Sequence, residues 1–160
     1  MNNMKLDVIY PKDIARLIPH ADFIDQDKLG RLKRSIVEPR KIQERDGIHY
    51  SHNVLAVPPI LCCPSSFIEN GPEPLYILNG RHRAFEALVR DKPILRFSIS
   101  SATEIKHNTS PRVLLDLSAE EVLQQFWERA MYENHLRSLG IKNMRDLMQV
   151  VCSSNVVSVA

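Results

Sequence analysis

The run Asn79-Gly80-Arg81-His82-Arg83 places three potentially cationic side chains beside a glycine, directly before an apolar helical repeat. Side chains of this kind bind anions. Guanidinium groups give paired, charge-assisted hydrogen bonds to phosphate or carboxylate, and an imidazole adds a donor or a proton. Their position sharpens the reading. First-turn N–H groups of a helix have no intrahelical partner and the dipole is positive there, so each added cation costs about 0.3–1 kcal/mol unless an anion offsets it. Phosphate fits: Gly80 lets the backbone come close, and Arg81, His82 and Arg83 can reach its oxygens. The competing reading pairs the arginines with surface carboxylates and gives His82 a neutral role at the helix start. The pattern is neither the Gly-x-x-x-x-Gly-Lys-Ser/Thr loop nor the three-glycine dinucleotide fingerprint.

Holding these residues in place requires a strand, a turn and a helix in succession. Leu75-Tyr76-Ile77-Leu78 is short, apolar and bounded by proline and glycine, which predicts a buried strand. Asn79 or Gly80 turns the chain. Phe85, Leu88 and Val89 then recur at helical spacing, with Glu86 and Arg90 as an i,i+4 pair on the outer face. Upstream, Lys5 to Tyr10 alternates apolar and polar residues as an edge or half-buried strand stopped by Pro11, and a short helical turn follows Asp13. Asp25 is placed to cap a helix whose apolar face is Leu29, Leu32 and Ile36, with Arg31, Lys33 and Arg34 directed away and Pro39 as its end. Asp46-Gly47 marks a two-residue hairpin turn between Lys41 to Arg45 and Ile48 to His52, Asn70-Gly71 marks a second turn, and Pro93 to Ile99 is a further strand.

The stretch from Leu78 to Leu88 resembles the signature of the ParB/sulfiredoxin superfamily, an apolar strand followed by Asp-Gly-x-His-Arg and a helix. The upstream order is similar to the branch that includes free serine kinases: Leu17-Ile18-Pro19-His20, the acids Asp22, Asp25 and Asp27, a helix around Leu29 to Ile36, and a strand opening Pro59-Ile60-Leu61. The similarity covers about residues 5 to 100. It implies an α+β fold, a small mixed sheet with flanking helices over residues 1–105; residues 106–160 are read from their own pattern as a C-terminal helical extension packed on it. It also implies a nucleotide ligand, ATP or CTP with magnesium (Mg), and phosphoryl transfer to a small hydroxyl-bearing substrate. Two departures stand out. Ala21 occupies the position where an acid follows the Pro-His pair, with Asp22 one place later, and Asn79 stands where aspartate is usual. The reactive cysteine of sulfiredoxin-like members is replaced by Arg81, which argues against sulfinic acid reductase chemistry.

Asn79, Gly80, Arg81, His82 and Arg83 therefore form the expected phosphate or nucleotide site, joined by His20 from the loop that the family layout brings to the glycine turn. Asp22 and Asp25 are candidate catalytic acids or bases, with His82, and Asp22 is the candidate magnesium ligand, since hard cations take carboxylate oxygens. Asp25 already has a capping role, which favours Asp22 narrowly. An ordinary loop histidine and solvated acids are the competing readings here. His49 and His52 stand three apart in a hairpin and point to opposite faces, which disfavours a metal pair.

A net charge of +2 and a pI near 8.5 are too mildly basic for avid nucleic-acid binding by the global field. A local patch from Arg31, Lys33, Arg34, Arg40 and Lys41 would be needed, and a solvated helix face is the simpler account. With 44% hydrophobic and 25% charged residues among 160, the chain has material for one core. No apolar run approaches the roughly 18 residues that cross a bilayer, and the N-terminus lacks a hydrophobic signal region, so a cytoplasmic protein without a membrane partner is expected. Three cysteines, two of them adjacent at Cys62 and Cys63, imply reduced thiols rather than a disulfide framework or zinc site.

The last part of the chain reads as helical. Ser118 with Glu121 is a capping-box signature, Val122, Leu123, Phe126, Trp127, Ala130 and Met131 mark one apolar face, and Gly140 is a stop. Asn143 with Asp146 starts a second, short helix through Leu147, Val150 and Val151, and the tail from Ser153 to Ala160 is expected to fray. This arrangement does not resemble the helix-turn-helix module of partition proteins. Three functions follow as expectations: nucleotide-dependent phosphoryl transfer or nucleotide hydrolysis; a DNA-associated ParB-like protein or nuclease; and a non-catalytic nucleotide sensor or scaffold. A homodimer is compatible with each.

Overall fold

The computed structural model describes residues 5–19, 21–44, 46–64, 75–98 and 135–159. Strand β1 (Lys5–Ile9) leads into α1 (Pro11–Ile14) and α2 (Gln26–Leu32), followed by the hairpin of β2 (Val37–Gln43) and β3 (His49–Leu55). Then come β4 (Ile60–Pro64), β5 (Leu75–Asn79), α3 (Arg81–Arg90), β6 (Ile94–Ser98) and α4 (Met144–Val159). The fold is α+β, with a four-stranded mixed sheet in the order β1-β6-β4-β5 and a two-stranded sheet of β2 and β3. β6 is antiparallel to β1 and parallel to β4, while β4 and β5 are antiparallel. A parallel bridge between Ile18 and Tyr76 lays the segment after α1 alongside β5. This contact brings the Leu17-Ile18-Pro19 stretch to the strand that carries the glycine turn.

The main core joins Ile60, Ile77 and Ile94 from the sheet with Ala84, Phe85 and Ala87 of α3, Leu17 and Leu29 from the N-terminal segments, and Leu136, Ile141, Met144 and Leu147 from the C-terminal part. Each fully buried Ile or Leu contributes about 1.5–3 kcal/mol, so this cluster dominates over any surface ion pair. A smaller cluster of Ile42, Val54 and Leu95, with Leu6 and Val8 packed against it, seats the hairpin on β1 and β6. The C-terminal helices share the main core.

Local signals are realised closely around several turns. Gly47 has φ of 80°, and the Asp46 side chain accepts the Ile48 N–H at 2.9 Å, but the expected two-residue turn is corrected: Glu44 N–H donates to Ile48 O and Gly47 N–H to Glu44 O, so the connection is a three-residue loop with its glycine in the left-handed position. Residues 135–138 are helical, and Ile141 N–H donates to Leu136 O while Gly140 N–H donates to Arg137 O, a Schellman ending at Gly140 with buried Leu136 and Ile141 beside it. Asn143 Oδ1 accepts the Asp146 N–H at 3.1 Å, and Asp146 Oδ2 accepts the Lys142 N–H at 2.8 Å, which is a reciprocal cap on α4. Two more N–H groups at this helix start donate to Leu17 O and Ala15 O.

Further expectations are corrected. α2 stops at Leu32 instead of reaching Pro39, and Ile36 is exposed, because residues from Val37 onward pair with β3 as far as Leu55. Pro39 sits within β2, where a two-stranded ribbon leaves one edge without ladder bonds to lose. Glu86 is buried, at 2% exposure, and Val89 is exposed, the reverse of the expected faces, because α3 packs against α1, α2, α4 and β4 together. α4 continues to Val159, through the tail expected to fray. The Asn70-Gly71 turn and the helix begun by Ser118 lie outside the described residues.

Candidate functional site

Gly80 is the backbone pivot of the site. Its φ of 108° is in the left-handed region, and a Cβ there would lie 2.6 Å from Ile60 Cγ2 and 2.9 Å from Ile60 Cβ. Both the dihedral and the space require glycine. The turn releases β5 into α3 at Arg81, so the N–H groups of Arg81, His82 and Arg83 lie in the helix's first turn, where no intrahelical carbonyl precedes them, and Ala84 N–H bonds back to Gly80 O.

A groove of about 600 Å³ opens over this helix start. Its walls are Asn79, Gly80, Arg81, His82 and Arg83 from the turn, Pro58 from the β3–β4 loop, and Lys28, Arg31 and Leu32 from α2. Four permanent cations and an imidazole face it, and among the described residues no carboxylate lines it. Five of the six expected phosphate-site residues are therefore brought together, and the sixth, His20, lies outside the described residues.

The site residues divide by what they are attached to. Arg83 Nη1 donates to Pro58 O at 2.8 Å and Pro59 O at 2.7 Å, and Nη2 donates to Asn79 Oδ1 at 3.3 Å. All three acceptors are neutral, so the guanidinium shapes the groove wall without losing its charge. Burial pulls its pKa below the ordinary arginine value. Arg81 is 7% exposed, and its Nε donates to Phe23 O at 3.0 Å.

His82 has a different task. Its Nε2 accepts the Asp25 N–H at 2.9 Å, which requires an unprotonated Nε2 and places the ring proton on Nδ1. Desolvation lowers its pKa, helped by the charges of Arg81 and Lys28, against a smaller opposing effect of Asp25. His82 is thus a neutral brace between α3 and α2, and the charge facing the groove comes from lysine and arginine. Asp25 completes the brace: its Oδ1 accepts the N–H groups of Asp27 at 2.9 Å and Lys28 at 3.3 Å. Those bonds, Lys28 first and then Asp27, hold its carboxyl below the usual aspartate range. A carboxylate so engaged is a weak proton acceptor. Asp22 is half-buried and lies in the same loop, and it is not part of the groove lining.

Lys28 and Arg31 were not recognised from the sequence as partners of the glycine turn. Their signal was present: 28, 31 and 32 share one side of α2 by helical spacing. What the spacing could not provide was the side of α2 that faces α3.

A second cavity, of about 570 Å³, lies between β1 and the hairpin, lined by Leu6, Asp7, Val8, Tyr10, Gln43, Glu44, Asp46 and His52. Tyr10 Oη is 2.7 Å from His52 Nδ1, and His52 Nε2 is 3.0 Å from Glu44 Oε1. Asp7 forms a two-bond pair with Arg96, at 3.0 and 2.8 Å, and Asp46 accepts from Tyr50 Oη and Ile48 N–H. Among the described residues no group of three His, Cys, Asp or Glu side chains is placed to hold a metal ion. No described helix is long and apolar enough to cross a membrane. Comparisons with protein-family models, curated proteins and solved structures find no match to this chain.

Proposed function

We propose that this chain is a ParB/sulfiredoxin-like nucleotide-binding protein that holds the phosphates of ATP or CTP in the groove over α3. The observation that carries the proposal is the groove lining: Lys28, Arg31, Arg81 and Arg83 face one cavity with the first turn of α3 beside them and no carboxylate among the described lining residues. Such a concentration of positive charge at a helix start is stabilised by a bound polyanion. Magnesium would enter on the phosphates and keep most of its waters, as it does where a dedicated protein cage is lacking. Lys28, Arg31 and Arg81 would neutralise the phosphate oxygens, while Arg83 and Asn79 hold the wall in shape. Turnover, in this reading, is phosphoryl transfer to a small hydroxyl compound or to water, with Asp22 as the candidate acid from the loop before α2.

A second reading, nucleotide binding without turnover, draws support from Asp25 and His82, whose polar atoms are spent on bracing α2. The two readings share the groove and differ in whether the bound nucleotide is cleaved to its diphosphate. Calorimetric titration with ATP, CTP and GTP plus magnesium tests the groove. Arg31→Ala and Lys28→Ala are the informative variants, because both residues are exposed and neither holds a loop carbonyl. Each is expected to weaken nucleotide binding about 3- to 10-fold, on the order of 1 kcal/mol per lost charged contact. Unchanged affinity in the double variant removes the assignment. Nucleoside diphosphate formed by the wild type in the presence of small hydroxyl compounds, and lost in Asp22→Asn, selects phosphoryl transfer, with free phosphate appearing only where water is the acceptor; binding with no diphosphate formed selects the sensor.

A further inference from the structure

Phe23 is 59% exposed, and its ring has no polar group to account for that exposure. The exposed tyrosines differ, since Tyr10 and Tyr50 use their hydroxyls on His52 and Asp46. One face of the Phe23 ring is covered by the Arg81 guanidinium, whose Cζ lies 4.9 Å from the ring centroid. The same guanidinium donates to Phe23 O, so ring and cation are tied through both backbone and side chain. Arg81 in turn lines the basic groove. A flat aromatic surface, backed and held by a cation, therefore stands one side chain away from the charged cavity.

We infer that Phe23 is the stacking surface for the base of the nucleotide, an inference that rests on the anion-binding reading of the groove. The bound molecule on this account is a nucleoside di- or triphosphate, oriented with its phosphates in the groove and its base on the open ring face. Stacking reads the π face that every base has and none of the hydrogen-bonding edges. The site thus distinguishes nucleotides from inorganic polyphosphate and is tolerant toward the identity of the base. A ring already fixed by Arg81 loses little side-chain freedom when a base settles on it, which strengthens the effect.

The test is calorimetric titration of the full chain with ATP, CTP and inorganic tripolyphosphate, each with magnesium, for the wild type, Phe23→Ala and Phe23→Trp. The expected result is that both nucleotides bind the wild type roughly 5- to 100-fold more tightly than tripolyphosphate, the range that base–aromatic stacking spans. Phe23→Ala should erase that advantage with the tripolyphosphate affinity unchanged, and Phe23→Trp should retain it. Equal affinity of the wild type for nucleotides and tripolyphosphate, or an undiminished nucleotide advantage in Phe23→Ala, overturns the stacking role while the phosphate groove stands. Absence of binding by all three ligands overturns the groove and the stacking surface together.

Discussion

The two cavities are nearly equal in size and opposite in charge, yet they differ most in how that charge is answered. In the cavity under the hairpin every described acid has a partner: Asp7 has Arg96, Asp46 has Tyr50 and a backbone N–H, and Glu44 has His52. In the groove over α3, Arg83 rests on neutral oxygens, and no described carboxylate lies within ion-pair distance of it. A charge neutralised within the fold joins two elements; one solvated only by dipoles keeps its long-range field. The hairpin cavity is thereby a fastening between β1 and β2–β3, while the α3 groove keeps the positive field on which the proposed phosphate site rests.

The largest break in that contrast is expected from Gly80→Ala. The left-handed φ costs a Cβ-bearing residue about 1–2 kcal/mol, and the overlap with Ile60 adds roughly 1–3 kcal/mol, for a loss of about 2–5 kcal/mol. Urea unfolding measures it, and a loss below 1 kcal/mol would mean that the turn relaxes and does not fix the groove. Next is Arg96→Met, which leaves Asp7 without its two-bond partner in a half-buried position; about 1–2 kcal/mol of stability should be lost. Nucleotide affinity should stay the same in that variant, because the pair belongs to the other cavity. A parallel fall in affinity would show that the two regions act as one.

The smallest effect is a pH dependence. His82 has its pKa lowered from 6.5 in the folded chain, so the unfolded chain binds the proton more readily. The contribution of neutral His82 is complete above pH 6.5 and declines as the pH falls below that value toward the folded pKa. Protonation also removes the acceptor for the Asp25 N–H. Stability measured from pH 8 down to pH 5 should decline less in His82→Gln than in the wild type. An identical slope in both would take His82 out of the brace.

How much of this was legible beforehand depended on how far each interaction reaches along the chain. The strand, glycine and helix of residues 75–90 could be read because apolar spacing and one obligatory glycine decide them locally. The caps at Asp25 and Asn143 and the Asp46-Gly47 turn were legible for the same reason: their hydrogen bonds span four residues or fewer. Phe23 was not legible as a site residue, because an isolated aromatic in a loop is ordinarily core, and its exposure is known only from the fold. Nor was the exchange of Glu86 and Val89. A helix covered on several sides buries positions that an amphipathic pattern assigns to solvent.

By itself, then, the sequence determined the local machinery: a helix start crowded with cations, a turn that only glycine can make, and capped helices on either side of it. The tertiary structure decided which charges meet. Lys28 and Arg31 reach the groove because His82 braces the start of α2 across an interval of 57 residues, and Asp7 is neutralised because Arg96 arrives from a strand 89 residues away. Local dihedral preferences and caps act within a turn or two of the chain. Charge balance in a cavity depends on every element that borders it, and only the assembled fold brings those elements together.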